Sequence, residues 1–301
     1  MAAITPAYVA TWPKPNYDNP ETTVDVLLGV EIPITALMVA FISIRCYSRI
    51  VIKRAFGQDD WWMVAAAVVS LGNTIMNCVA TEYGTGYHLW DVKEEWFLPT
   101  GKMAWAAQIL LPFIVSFTKI SICISYLRIF PSKGNRIFCY GCIIFLCMYC
   151  LAIFFSFVFQ CTPVATYWQV FNPKRKCYNE TASLIAAAAI NTLTDLAVFL
   201  WPARFLATLQ MPLGERINLI ISFSLGLIVC VAGICRIWYL TVYFNTPDLL
   251  YTGAILLAIS AIEFNVGIIC GCIPSCRPLF KRVLPSIRGL SNSNKSSETA
   301  R

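Results

Sequence analysis

The chain has 301 residues, of which 58% are apolar and only 13% charged, about half the charged fraction of an ordinary soluble domain. A water-soluble globule of this size would expose large apolar patches, so a soluble protein is excluded and a polytopic membrane protein is expected, with the lipid bilayer as its first partner. The net charge of +7 suggests nucleic acid only until the basic residues are placed: most sit at the ends of apolar runs, so no nucleic-acid partner is expected, and a single His, His88, excludes a two-His metal motif or a His-rich zinc site.

Residues 1–24 are polar and carry Pro6, Pro13, Pro15 and Pro20 without the apolar core of a cleavable signal. They read as an extracellular N-terminal segment. Seven apolar stretches follow, at 26–48, 61–82, 103–127, 137–160, 181–203, 217–243 and 250–273. Each is close to the ~20 residues a helix needs to cross a ~30 Å hydrocarbon core. In lipid the backbone must be satisfied within each segment, so these are helices. The expected fold is all-α, a seven-transmembrane-helix bundle over 25–280. The chain turns basic from Arg277 and Ser/Asn-rich from Ser291, so 281–301 reads as a disordered cytosolic tail.

Lys and Arg at and beyond the span ends set the orientation. Fifteen fall on one side, beginning with Arg45, Arg49, Lys53 and Arg54, against six on the other: Lys14, Lys93, Lys102, Lys174, Arg175 and Lys176. The N-terminus is therefore expected outside and the C-terminus in the cytosol, at the plasma membrane or an endomembrane. Tyr87, Trp90, Trp96, Phe97, Tyr167 and Trp168 on the outer loops suit an interfacial belt. Cys161 and Cys177 bracket an outer loop on the oxidising side, where they can pair. Asn179-Glu180-Thr181 on the same loop is an N-glycosylation acceptor, whereas Asn294-Lys295-Ser296 lies in the expected cytosolic tail and should stay unmodified. Ten other cysteines lie in or at the edges of apolar runs (Cys46, Cys123, Cys139, Cys142, Cys147, Cys150, Cys230, Cys235, Cys270, Cys272). They read as small packing hydrophobes, the Cys139-Tyr-Gly-Cys142 spacing included.

Charges inside a membrane are functional-site candidates by default. Lys119 and Asp195 each lie nine residues before the inner end of their span, and Glu263 lies eleven before Pro274. At 1.5 Å per residue all three sit about 14–16 Å from the cytosolic face. One cation and two carboxylates at one depth should form an interior cluster with one carboxyl protonated, completed by Asn191 and Asn265. The cluster reads either as polar glue between helices or as a ligand contact, proton site or switch. A second group is expected toward the outer side, where Arg236 would reach Glu31 or Glu82. Asp59-Asp60 opens the second span, reading first as a helix cap and otherwise as a ligand for metal-bound diphosphate.

In chain order come Arg45-Cys46-Tyr47-Ser48-Arg49, Gly57-Gln58-Asp59-Asp60-Trp61, Tyr83-Gly84-Thr85-Gly86 with His88, and Lys119-Ile120-Ser121. Next are Tyr126-Leu127-Arg128-Ile129-Phe130, Phe159-Gln160-Cys161-Thr162-Pro163-Val164 with Trp168 and Cys177, then Asp195, and Glu263 before Pro274-Ser275-Cys276-Arg277-Pro278. This ordered set, over about residues 27–280, closely resembles the fungal rhodopsin-domain family of seven-helix integral membrane proteins, which includes the satratoxin-cluster membrane proteins. The resemblance implies a rhodopsin-like bundle in a filamentous fungus. Some relatives are receptor-like, with a Cys-rich extracellular domain before the first helix. No Cys precedes Cys46 here, so that domain is not expected. Others belong to secondary-metabolite gene clusters. Retinal is not implied, because the seventh span has no Lys. Tyr126-Leu127-Arg128 only loosely resembles the switch motif of animal receptors, and no Asn-Pro-x-x-Tyr motif ends the seventh span, so neither motif speaks for coupling to a G protein.

Three functions follow. The first is a receptor-like sensor binding a small apolar or amphipathic ligand within the bundle. The second is a membrane-embedded component of a secondary-metabolite pathway, a cofactor-independent isomerase or cyclase with protonated Asp195 or Glu263 as the acid. The third, a transporter, is disfavoured because no inverted repeat or broken-helix pattern is visible. No Walker loop, Ser elbow or zinc motif is present, so no metal or other cofactor is expected.

Overall fold

The computed structural model describes residues 12–130, 132–169, 176–208 and 213–298 and, outside 202–219 and 276–298, their side chains. Seven long helices run in chain order: α1 (Val24–Tyr47), α2 (Gln58–Glu82), α3 (Phe97–Ile129), α4 (Lys133–Val158), α5 (Glu180–Thr208), α6 (Leu213–Asn245) and α7 (Leu249–Glu298). All seven are long and apolar enough to cross a membrane, and each coincides with one expected apolar stretch apart from its ends. The ends run on because a helix does not stop where its apolar residues do. The 33 residues of α3 extend about 50 Å, well beyond the hydrocarbon core.

Residues 1–11 of the N-terminal segment lie outside the described residues, as do Lys174 and Arg175. Where composition predicts a disordered tail from 281, the backbone of α7 continues as helix to Glu298, a conformation that satisfies its own backbone hydrogen bonds without side-chain packing. The side chains there, including Asn294, are outside the described ones.

The spans show little amphipathicity, as expected of membrane helices, so burial ranks them. In α7, 72% of the apolar stretch is buried, against 17% in α4. Thus α7 is the central helix, packed on α1 and α6, while α4 stands at the edge against α3. Met38, Met63, Ile114, Cys123, Val198, Phe264 and Ile268 belong to the core. Ile144, Met148, Val231 and Trp238 face outward.

The α2–α3 and α4–α5 connections share what we call the loop end. Gly84 and Gly86 have φ of 93° and 96°, a region that side-chain-bearing residues avoid. This tight turn lets the Gly86 amide donate to the Leu250 carbonyl at 3.1 Å while its own carbonyl accepts from the Thr23 amide at 2.8 Å. The loop is thereby tied to the starts of α1 and α7. His88 makes a short contact through Nδ1 with the Asp248 carboxylate, and its ring is stacked between Trp90 and Tyr251 at 4.7 and 4.2 Å. Trp90, one of the residues expected in a lipid-interface belt, is half-buried and forms part of this clasp. In the α4–α5 connection, β1 (Cys161–Thr162) pairs antiparallel with β2 (Lys176–Cys177). Cys161 and Cys177 are joined there by a disulfide, and no second disulfide is present among the described residues.

Candidate functional site

Asn191 and Asp195 are four residues apart on α5 and therefore share one face. Lys119 on α3 meets that face. Its Nζ lies 3.1 Å from Asp195 Oδ1 and donates to Asn191 O, Asn191 Oδ1 and Thr194 Oγ1, each at 2.7 Å. The Asn191 amide then links the two carboxylates, donating through Nδ2 to Glu263 Oε1 at 2.6 Å and to Asp195 Oδ2 at 3.2 Å. Arg236 on α6 closes the chain with a two-pronged bond to Glu263, Nε to Oε2 at 2.7 Å and Nη2 to Oε1 at 3.0 Å. All five side chains are buried. Lys119, Asn191, Asp195, Arg236 and Glu263 thus form one continuous network across α3, α5, α6 and α7.

Three details differ from the sequence-based expectation. Arg236 belongs to the Lys119–Asp195–Glu263 network and does not pair with Glu31 or Glu82; a long Arg side chain carries its head well away from its own Cα, which depth counting ignores. Glu31 instead accepts from Asn77 Nδ2 at 2.9 Å, and Glu82 is exposed. Asn265 is engaged elsewhere, by Ser70 Oγ at 3.0 Å and Thr35 Oγ1 at 3.3 Å. With Arg236 included, two cations face two carboxylates. The charge then balances without the protonated carboxyl that a one-cation cluster needed.

On the loop-end side of this network lies a cavity of about 260 Å³, approaching the lower end of small-molecule pockets, about 300 Å³. It runs from Thr85, Leu89 and Leu249 down to Asn191 and Arg236, between walls supplied chiefly by apolar side chains such as Leu111 and Phe264. Asn73, Asn77 and Gln108 add polar points. A ligand site within the bundle was expected from sequence, but not which residues wall it, because that depends on which small residues face each other across the bundle. The glycine and alanine positions at Gly101, Ala104, Ala107 and Gly253, all on its wall, were the available signal.

A second buried network lies at the opposite end. Arg45 Nε donates to Asp60 Oδ1 and its Nη2 to Asp59 Oδ2, both at 2.8 Å, and its Nη1 donates to the Gly271 carbonyl at 2.7 Å. Arg49 Nη2 donates to Asp59 Oδ2 and to Ser275 Oγ, both at 3.0 Å. On α3, Ser121 Oγ reaches the Asp59 carbonyl at 2.5 Å. Asp60 does cap α2, accepting from the Gly57 amide at 2.9 Å. Both carboxylates are nevertheless committed to guanidinium groups, which leaves the diphosphate–metal alternative without free ligands. The missed signal was Arg45 and Arg49 one helical turn apart, followed closely by two acidic residues.

Asn179 immediately precedes α5, is exposed, and accepts from the Ala182 amide through Oδ1 at 3.1 Å.

Residues 44–282 match the fungal rhodopsin domain. The chain is 26% identical, over 91% of its length, to "Fugralins biosynthesis cluster protein 2" of Gibberella zeae. It is 24% identical over 86% to "Receptor GIN3" of Arthrobotrys oligospora. It is 22% identical over 91% to "Polyenoic acids biosynthesis gene cluster protein Ba17b" of Metarhizium anisopliae. These relatives are longer, and the chain spans 70%, 65% and 79% of their respective lengths.

Proposed function

The chain belongs to the fungal rhodopsin domain family of seven-helix integral membrane proteins, and from that premise we propose that it is a membrane-embedded component of a secondary-metabolite pathway whose bundle takes up a small lipophilic molecule. The observation that carries this reading is the apolar cavity ending on Asn191 and Arg236. An apolar pocket with a few convergent polar groups is what a lipophilic molecule with a polar point requires. Two relatives named for biosynthetic clusters support the pathway setting over the receptor-like sensor placed first on sequence. The motifs also resemble those of the satratoxin-cluster type.

Asp195 and Glu263 are each held by a cation. This favours a binding and positioning role over that of a free acid. The charge asymmetry supports the loop end outside, at the plasma membrane or in an endomembrane lumen.

The test is deletion of the gene in its source fungus, followed by metabolite profiling. The expected result is loss of one lipophilic product with accumulation of its precursor, restored by the wild-type gene but not by Gly253→Leu. Gly253 lies on the cavity wall, and a Cβ there meets only Tyr243, at 3.4 Å, so the larger side chain occupies cavity space without a backbone clash. The relative named as a receptor supports a second reading, a sensor of such a molecule. That reading predicts a collective fall in the cluster's transcripts. An unchanged metabolite profile and unchanged transcripts would overturn both.

A further inference from the structure

The polar groups around the cavity are complementary to one class of molecule. On α2, Asn73 is buried, lines the cavity, and has no hydrogen-bond partner for Oδ1. One turn along, Asn77 also lines the cavity and gives its Nδ2 to Glu31. A carboxylate oxygen accepts, so this bond orients the amide and leaves the Asn77 oxygen as its uncommitted end. On the α2 wall, Asn77 thus presents its oxygen, and Asn73 is an amide that no partner fixes and whose buried oxygen needs a donor, a costly state until one is supplied.

Arg236, on α6, offers the opposite. A guanidinium has five N–H groups in a fixed fork. Glu263 takes one from Nε and one from Nη2, leaving Nη1 for an acceptor in the cavity that Arg236 lines. Charge decides what that acceptor is. Lys119 and Arg236 already balance Asp195 and Glu263, and a carboxylate on the ligand would bring an uncompensated charge into the bundle.

Resting on the cavity reading above, we infer that the occupant is a neutral oxygenated lipophile. It carries a hydroxyl that gives its one proton to Asn73 and a carbonyl that accepts from Arg236, joined by an apolar body.

Four probes test the class: 10-hydroxydecan-2-one, decan-2-one, decanoate and decane. Binding is read from the ligand-dependent unfolding midpoint of the purified protein in lipid nanodiscs. Each value is taken against Gly253→Leu, so that partition into lipid cancels. The hydroxyketone is expected to bind about tenfold more tightly than the ketone, and the ketone about tenfold more tightly than decane, one satisfied polar group for each step. Decanoate should bind more weakly than the ketone. Asn73→Leu should abolish the advantage of the hydroxyketone over the ketone and leave the ketone unaffected. Arg236→Lys, which keeps the charge opposite Glu263, should reduce the advantage of the ketone over decane. Decanoate binding more tightly than the ketone, or an unchanged order in Asn73→Leu, overturns the class while leaving the cavity reading standing. Absence of binding by every neutral probe also overturns it. If, in addition, Gly253→Leu sustains a normal metabolite profile, the cavity reading falls as well.

Discussion

Replacing Lys119 by Met leaves the Asp195 carboxylate buried against α3 without its cation, and breaking a buried pair from one side costs about 3–5 kcal/mol. The same applies to Asp195→Asn. In the double variant neither charge remains, so part of the loss should return, though not all, because Lys119 also satisfies Asn191 and Thr194. Unfolding free energies of the singles and the double in nanodiscs measure this directly; strict additivity would mean that the two side chains do not interact. Glu263→Gln is expected to be costly too. An amide can replace the hydrogen bonds but not the charge opposite Arg236, so a drop of about 3–5 kcal/mol is expected, relieved by the apolar pair Arg236→Met/Glu263→Met. The depths of Lys119, Asp195 and Glu263 were legible from counting residues to the span ends, since a helix converts sequence number into height. Arg236 was not, because its long side chain adds a reach that counting cannot supply.

At the level of elements, spans of apolar residues near bilayer length identified all seven helices, but not which of them touch. The pairing of α1 with α7 brings Arg45 to the carbonyl of Gly271, a contact 226 residues apart in sequence that no local pattern encodes. Asp59 gathers Arg45, Arg49 and Ser125 at one carboxylate oxygen. Asp59→Asn should therefore loosen α1 from α2 and α7, with faster amide exchange around Arg45 and Arg49 and a stability loss of about 3–5 kcal/mol. Exchange at the loop end should be unchanged; a uniform increase would show that the network is not a local fastening. The α4–α5 connection is fastened covalently. Cys161 and Cys177 are 16 residues apart, and closing a loop of that length contributes about 3 kcal/mol in the chain-entropy model. Cys161→Ser/Cys177→Ser should lose that amount in unfolding experiments. Both thiols reacting with an impermeant maleimide in unreduced wild-type protein would rule the bridge out.

For the whole molecule, an odd number of spans puts the two termini on opposite sides of the membrane, so a single orientation decides every loop. Arg45 and Arg49 are neutralised by Asp59 and Asp60, and setting them aside still leaves thirteen Lys and Arg against six. The positive-inside rule therefore keeps its direction. The disulfide-bearing loop lies at the less basic end, as an oxidising compartment requires. An N-glycosylation acceptor fused ahead of residue 1 should then be modified in a eukaryotic membrane-expression system, and one fused after residue 301 should not, each read as a gel-mobility shift reversed by deglycosylation. Asn179 belongs to the same test. Its Oδ1 is engaged at the start of α5 while the side chain is exposed, and a glycan attaches at Nδ2, so capping and modification are compatible. Wild type should show a shift that Asn179→Gln removes, and Asn294→Gln should change nothing. A missing shift at Asn179 would mean only that this acceptor is unused so close to the membrane. Modification of the C-terminal tag and not the N-terminal one would invert the molecule, placing Cys161 and Cys177 in a reducing compartment and the cavity mouth toward the cytosol.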